Sequence, residues 1–276
     1  MSESTVAPPK TRADKWREIL LLAWPLIVAN SFWNIQLTID RIFLGQYSSE
    51  ALGAAMAVMG VFWAPMALLQ QTAAYVTTFV AQYFGASRPQ MIGPAFWQSV
   101  YISVFGGVLF LGFIFFADSF FAFIGHEEKV RILEAEYFKS LCYSALPTAL
   151  VAAASGYFTG LGRTTVIIGI NCVGLVFNVL FDYLFIFGNL GFPAMGVAGA
   201  GYATALATLL AAIYGLWLVF SSPDAEAHAI LRGFQFNPDL MKRFLRFGLP
   251  SGMQWALEGL AFTVFLIIVG RMTNGT

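Results

Sequence analysis

The sequence predicts an all-α membrane protein, a polytopic helical bundle of seven transmembrane helices built as a six-helix lobe plus the start of a parallel second repeat. Three observations lead there. Hydrophobic residues make up 58% of the 276 and charged residues only 11%, against about 25% charged in soluble domains. Mean hydropathy is +0.72. Seven apolar stretches are long enough to cross a bilayer core of roughly 30 Å, which takes about 20 helical residues.

The first stretch, 19–44, follows a polar lead, 1–18, that carries Lys10, Arg12, Lys15 and Arg17. The apolar run is too long for a signal-peptide core and lacks a small-residue cleavage site, so the lead reads as a retained cytoplasmic segment. The second stretch, 53–83, lies in a run from Ala51 to Ser87 without any charge. It is longer than one span needs, and tilt or a kink at Pro65 would absorb the excess. The others are 92–117, 135–160, 165–187, 196–220 and 244–270. Glycines, prolines and charges punctuate the joints, as at Gly85-Ala86-Ser87-Arg88-Pro89 and Gly160-Leu161-Gly162-Arg163, where the backbone no longer favours helix.

With the N-terminus in the cytoplasm, Arg88, Arg163, Arg232, Lys242, Arg243 and Arg246 join the leading cations inside. Lys129, Arg131, Arg41 and Arg271 remain outside. That excess of inner cations sets the orientation of a multi-pass protein of the cell inner (plasma) membrane. The domain plan follows: lead 1–18, six-helix lobe 19–220, cytoplasmic linker 221–243, and 244–276 as the first helix of a second lobe. Spans one and seven support a repeat. Trp24-Pro25 precedes Gly45 by the interval at which Leu249-Pro250 precedes Gly270, and an even number of spans separates them. Helices so related run in one direction, as in parallel repeats about the membrane normal. The second repeat then continues beyond this sequence, and the missing C-terminal lobe is expected in cis.

Composition also excludes functions. Net charge is zero, and no basic stripe with interleaved aromatics points to nucleic acid. No zinc-binding His pair on one helix turn, nucleophile elbow or phosphate-cradling glycine loop points to an enzyme. Cys142 and Cys172, in apolar stretches, read as buried inert thiols. His126 in an outer loop and His228 in the linker are too far apart for a metal site. No metal or cofactor is expected beyond a coupling ion.

The chemistry concentrates in two acids. Asp40 and Asp182 sit inside apolar helices, where a carboxylate costs about 2.5–3.5 kcal/mol to insert. Counting along the helices, Asp40 lies roughly 7 Å and Asp182 roughly 9 Å from the outer ends of their spans, with Thr204 roughly 12 Å inside its own. Asn178 shares a helical face with Asp182. These carboxylate, amide and hydroxyl oxygens suit either one proton shared between two carboxyl groups or a small hard cation such as Na⁺ at Asp40, Asn178 and Asp182. An ion pair of Asp40 with the adjacent Arg41 is the structural alternative. Pro25, which removes a hydrogen bond from the first helix, is a bending point. Asn30, Asn34 and Gln36 are candidates for lining a cleft, and Gln70, Gln71 and Asn171 for interhelical hydrogen bonds. The small residues from Gly196 to Ala205 point to close helix packing.

In order and spacing the chain resembles the multidrug and toxic compound extrusion (MATE) family. The matching residues are Ala23-Trp24-Pro25-Leu26, Ile39 to Gly45, Gln82 to Ala86, Gly160 to Thr164, Asn178 to Gly188, Gly196 to Thr204, Gly248 to Gly252, and Glu258. The resemblance implies two six-helix lobes around a central cleft, exporting organic cations or amphipathic drugs in exchange for H⁺ or Na⁺. It implies a cation site at Asp40, Asn178, Asp182 and Thr204, with Thr208 one turn deeper as the rival for Thr204. It also implies an ion or substrate contact of the second lobe at Glu258. Two other readings stand beside it, a lipid-linked oligosaccharide flippase of related fold and a complete seven-helix receptor-type protein. The flippase would need cations in its cleft, and no span centre carries Arg or Lys.

Overall fold

A computed structural model describes residues 12–273, and the side chains of most residues beyond Ala261 and of several before Trp24 lie outside that description. Lys10, in the lead, and Thr276 therefore fall outside the described residues. Ten α-helices occur among the described residues: α1 (Arg12–Tyr47), α2 (Ser49–Ala74), α3 (Val76–Gly85), α4 (Ile92–Phe113), α5 (Ala117–Ile124), α6 (Glu128–Cys142), α7 (Ala145–Gly160), α8 (Thr165–Phe187), α9 (Gly196–Phe220) and α10 (Pro238–Thr273). Among the described residues five helices or continuous helix pairs are long and apolar enough to cross a membrane, or six if α6 and α7, bent by 42°, form one span. The expected count of seven is thus approximate. α10, the seventh, is a single helix outside that count, and it starts at Pro238 rather than at 244. Asn237 caps it, accepting the Leu240 N–H at 3.0 Å on Oδ1, while Pro238 takes the first helical position, which needs no N–H partner.

Other boundaries move for local reasons. The gap between the expected first and second spans shrinks to Ser48, whose Oγ accepts the Ala51 N–H at 3.1 Å and caps α2 directly. The long second span does break, but at Tyr75, not at Pro65, which lies inside α2. Ser99 Oγ of α4 donates to the Ala73 carbonyl at 2.7 Å, satisfying a backbone group at the break that would be costly to leave unpaired in an apolar interior. α1 continues through Pro25. α1 and α10 each carry an interior proline, Pro25 and Pro250.

α8 lies between α9 and α1, and α10 is seated on α2. Asn171 Nδ2 donates to the Ala29 carbonyl at 3.0 Å and ties α8 to α1, one of the expected interhelical bonds. Small residues let α9 approach its neighbours: a Cβ on Gly199 would stand 2.6 Å from the Phe185 carbonyl oxygen, and one on Gly201 1.9 Å from Ser140 Oγ. At the end of the bundle away from the linker, the Tyr47 ring lies against Gly196. The end of α1 and the start of α9 therefore meet, which brings their polar residues to one depth.

Candidate functional site

Four helices supply the site. Asp40 comes from α1, Asn178 and Asp182 from successive turns of α8, Thr204 from α9, and Tyr137 from α6. Asp40 is 5% exposed, while Asn178 and Asp182 are fully buried. The Asp40 and Asp182 carboxyl groups are close enough to share a hydrogen bond. Such a bond needs a proton on one of them, because two carboxylates offer only acceptors. Among the described residues Asp40 forms no ion pair, so the alternative of an Arg41 bridge is not realised. No protein donor reaches Asp40 Oδ1, Asn178 Oδ1 or either oxygen of Asp182. Buried oxygens without donors form a concentrated negative locus that a proton or a hard cation satisfies.

Asn178 Nδ2 donates to Thr204 Oγ1 at 3.4 Å. Thr208 turns its hydroxyl to the Thr204 carbonyl instead. Thr204 therefore joins the group through Asn178, and Thr208 bonds the Thr204 backbone. Tyr137 is 2% exposed and lies within the electrostatic reach of Asp40, Asp182 and Arg41. Nothing in the residue pattern separates it from other core tyrosines, and sequence reasoning missed it.

A cavity of about 450 Å³ opens beside this group, within the range of small-molecule sites. Asp40, Tyr137, Thr204 and Thr208 form part of its wall, and Asn178 and Asp182 lie behind them. Asn30, Asn34 and Gln36 line it as expected. Gln70 and Gln71, expected to serve as interhelical bonds, line it too, as do the unanticipated Trp33, Trp63 and Trp255. The Trp33 and Trp63 ring centroids are 5.9 Å apart. Among the described residues no Lys or Arg lines the cavity, so it offers a pyrophosphate no cationic side chain. Glu258 is outside the lining; it is exposed on α10, where Gln254 Nε2 donates to it at 3.2 Å.

The remaining candidates resolve simply. Cys142 is buried, but Cys172 is exposed on α8, correcting the expectation that both are buried. His126 Nδ1 meets Glu134 Oε1 at 2.8 Å, and His228 Nδ1 meets the Tyr157 hydroxyl at 2.8 Å. Among the described residues no three His, Cys, Asp or Glu side chains gather as a metal site.

The chain is thus a helical bundle with a paired carboxyl site beside an amide- and aromatic-lined cavity. Residues 25–184 match the family model described as MatE, and the chain belongs to the multidrug and toxic compound extrusion family. It is 26% identical over 274 residues to the probable multidrug resistance protein NorM of Listeria innocua, covering 96% of this chain and 59% of that protein. It is 29% identical over 280 residues to the NorM of Geobacillus kaustophilus, covering 97% of this chain and 59% of that one. A solved multidrug resistance MATE transporter of the MOP superfamily, in an outward-facing conformation, superposes with a TM-score of 0.79 at 24% identity over 91% of this chain and 54% of the other. The chain thus spans about three-fifths of its curated relatives. The solved relative is described as a transporter and the curated ones as probable multidrug resistance proteins.

Proposed function

We propose that the chain forms the ion-coupling lobe of an H⁺- or Na⁺-driven antiporter that exports organic cations or amphipathic drugs across the inner membrane. Its plan is a cytoplasmic N-terminus, a six-helix lobe over 19–220, a linker, and α10 opening a second lobe in cis. The observation that carries this reading is the closeness of the Asp40 and Asp182 carboxyl groups, with Asp40 in the wall of a cavity that no Lys or Arg among the described residues lines. Asp40, Asn178, Asp182 and Thr204 take up H⁺ or Na⁺ from outside, which neutralises the wall and weakens its hold on a cationic substrate. The change in charge favours a different bend of α1 at Pro25, where the helix lacks one hydrogen bond. Release of the ion to the cytoplasm restores the negative wall. Asp40→Asn tests this: in proteoliposomes, gradient-driven efflux of a cationic dye falls to the level without a gradient. Unchanged efflux at equal protein would remove Asp40 from coupling.

A further inference from the structure

Between α9 and α10 the chain folds into a tight series of turns. Ala225 N–H donates to the Ser222 carbonyl at 2.9 Å, His228 N–H to Asp224 at 2.8 Å, and Ile230 N–H to Ala225 at 2.9 Å. This unit is bonded along α4. Gly93 N–H donates to the His228 carbonyl at 2.8 Å, Trp97 Nε1 to the Ile230 carbonyl at 2.7 Å, and the Tyr101 hydroxyl to the Phe234 carbonyl. A Cβ on Gly93 would stand 2.4 Å from the Ala229 oxygen, so the two backbones touch. The linker is not a free tether.

Its outer side is apolar in an unusual place. Leu231 is 69% exposed, Phe234 55% and Phe236 60%, with Arg232 between them and more than four-fifths exposed. The bonds to Trp97 and Tyr101 put this stretch level with an aromatic cluster: Trp97 and Tyr101 ring centroids are 5.9 Å apart, as are Tyr101 and Phe236, and Trp97 and Phe220 are 6.1 Å apart. Tryptophan and tyrosine gather where a bilayer meets water. Farther along α4, Val104, Phe105 and Val108 are exposed and form an apolar wall. The exposed linker residues continue that wall into the headgroup zone.

We propose that residues 230–236 are a membrane-interface anchor, in which Leu231, Phe234 and Phe236 enter the acyl boundary and Arg232 binds anionic phospholipid headgroups. Charge complementarity singles out anionic lipid. Among the described residues Arg232 pairs with the exposed Glu226 alone, at 3.6 Å with both side chains more than 80% exposed, a pair that water screens and a phosphate can displace. Lys242 and Arg246 follow one and two turns into α10, and a basic residue beside an anionic bilayer adds attraction that decays within a Debye length. The inference does not depend on the transport reading.

The test uses the full chain in nanodiscs, with a cysteine-linked environment-sensitive fluorophore at Phe234→Cys or Phe236→Cys and a control at Glu226→Cys, in a background lacking Cys142 and Cys172. Labels at 234 and 236 are expected to emit at shorter wavelength, to be quenched by shallow spin-labelled lipid and to be shielded from aqueous iodide, while the label at 226 shows the opposite. Arg232→Gln should lower the preference of the 234 label for phosphatidylglycerol over phosphatidylcholine roughly fivefold. A readout without variants is tryptic cleavage after Arg232, expected to be slower in discs containing phosphatidylglycerol than in phosphatidylcholine alone. Iodide-accessible, lipid-insensitive labels at 234 and 236 would overturn the anchor. Equal cleavage in the two lipids would overturn its preference for anionic headgroups.

Discussion

Asp40 of α1 and Asp182 of α8 turn their carboxyl groups toward each other in the interior of the bundle. Asp182 lies one helical turn beyond Asn178 on a fully buried face, and Asn178 in turn reaches Thr204 on α9. Three helices are therefore linked through groups that share a small positive ion far better than they share nothing. A change in that ion changes how the three helices attract one another.

The acids should behave as a unit. Asp182→Asn and Asp40→Asn are each expected to abolish gradient-driven dye efflux, and the double variant should be no worse than either alone. Residues acting through one ion couple strongly in such a cycle. Independent, additive losses measured in proteoliposomes would argue against a shared ion.

The tryptophans of the cavity should set affinity for aromatic cations. Trp63→Ala is expected to weaken binding of tetraphenylphosphonium roughly threefold to thirtyfold, the range of a ring-face contact with a partly desolvated cation. Trp63→Phe should recover part of the loss. Titration by isothermal calorimetry measures both.

Docking of the linker should weaken with acid. Burial holds the His228 imidazole below its ordinary value of 6.5, against the pull of Asp224 and with the help of Arg163, which is itself ion-paired to Asp224. Tyr157 from α7 is the other group facing the ring. The docked state thus prefers neutral histidine, and its stability is complete above the ordinary value. As pH falls below that point the released linker takes up a proton first, so docking weakens by at most about 1.4 kcal/mol per pH unit until the docked histidine also protonates. The protection factors of the Ile230 and Gly233 amides, with exchange corrected for its intrinsic pH dependence, should fall between neutral and mildly acidic pH. His228→Phe should flatten the dependence.

Packing of α9 predicts two different glycine phenotypes. Gly201→Ala meets a side-chain oxygen, Ser140 Oγ, whereas Gly199→Ala meets the Phe185 backbone carbonyl. Each should lower thermal stability, by about 1–3 kcal/mol for overpacking. Only the first should be rescued by Ser140→Gly, because a hydroxymethyl group can be removed and a carbonyl cannot. Melting curves of the purified variants in detergent distinguish them.

The residues alone determined that this is a helical membrane bundle and where most spans run, and they singled out Asp40, Asn178, Asp182 and Thr204 as the candidate site. Those inferences rest on local costs, namely the length of apolar runs, the price of a charge in lipid, and glycine or proline at a joint, and local costs are written into the chain. Folding decided the rest. The break at Tyr75 depends on Ser99 of another helix to hold a carbonyl, so the proline nearer to hand was the wrong cue. Tyr137, Trp63 and Gln70 become cavity walls only because distant helices leave a gap beside them. Glu258, promising in sequence, stands on the exposed side of α10. The linker's polar composition concealed a docked unit, because its bonds are mostly made by backbone groups that every residue possesses. Which helix faces which is a property of packing between remote segments, and no short stretch of sequence encodes it.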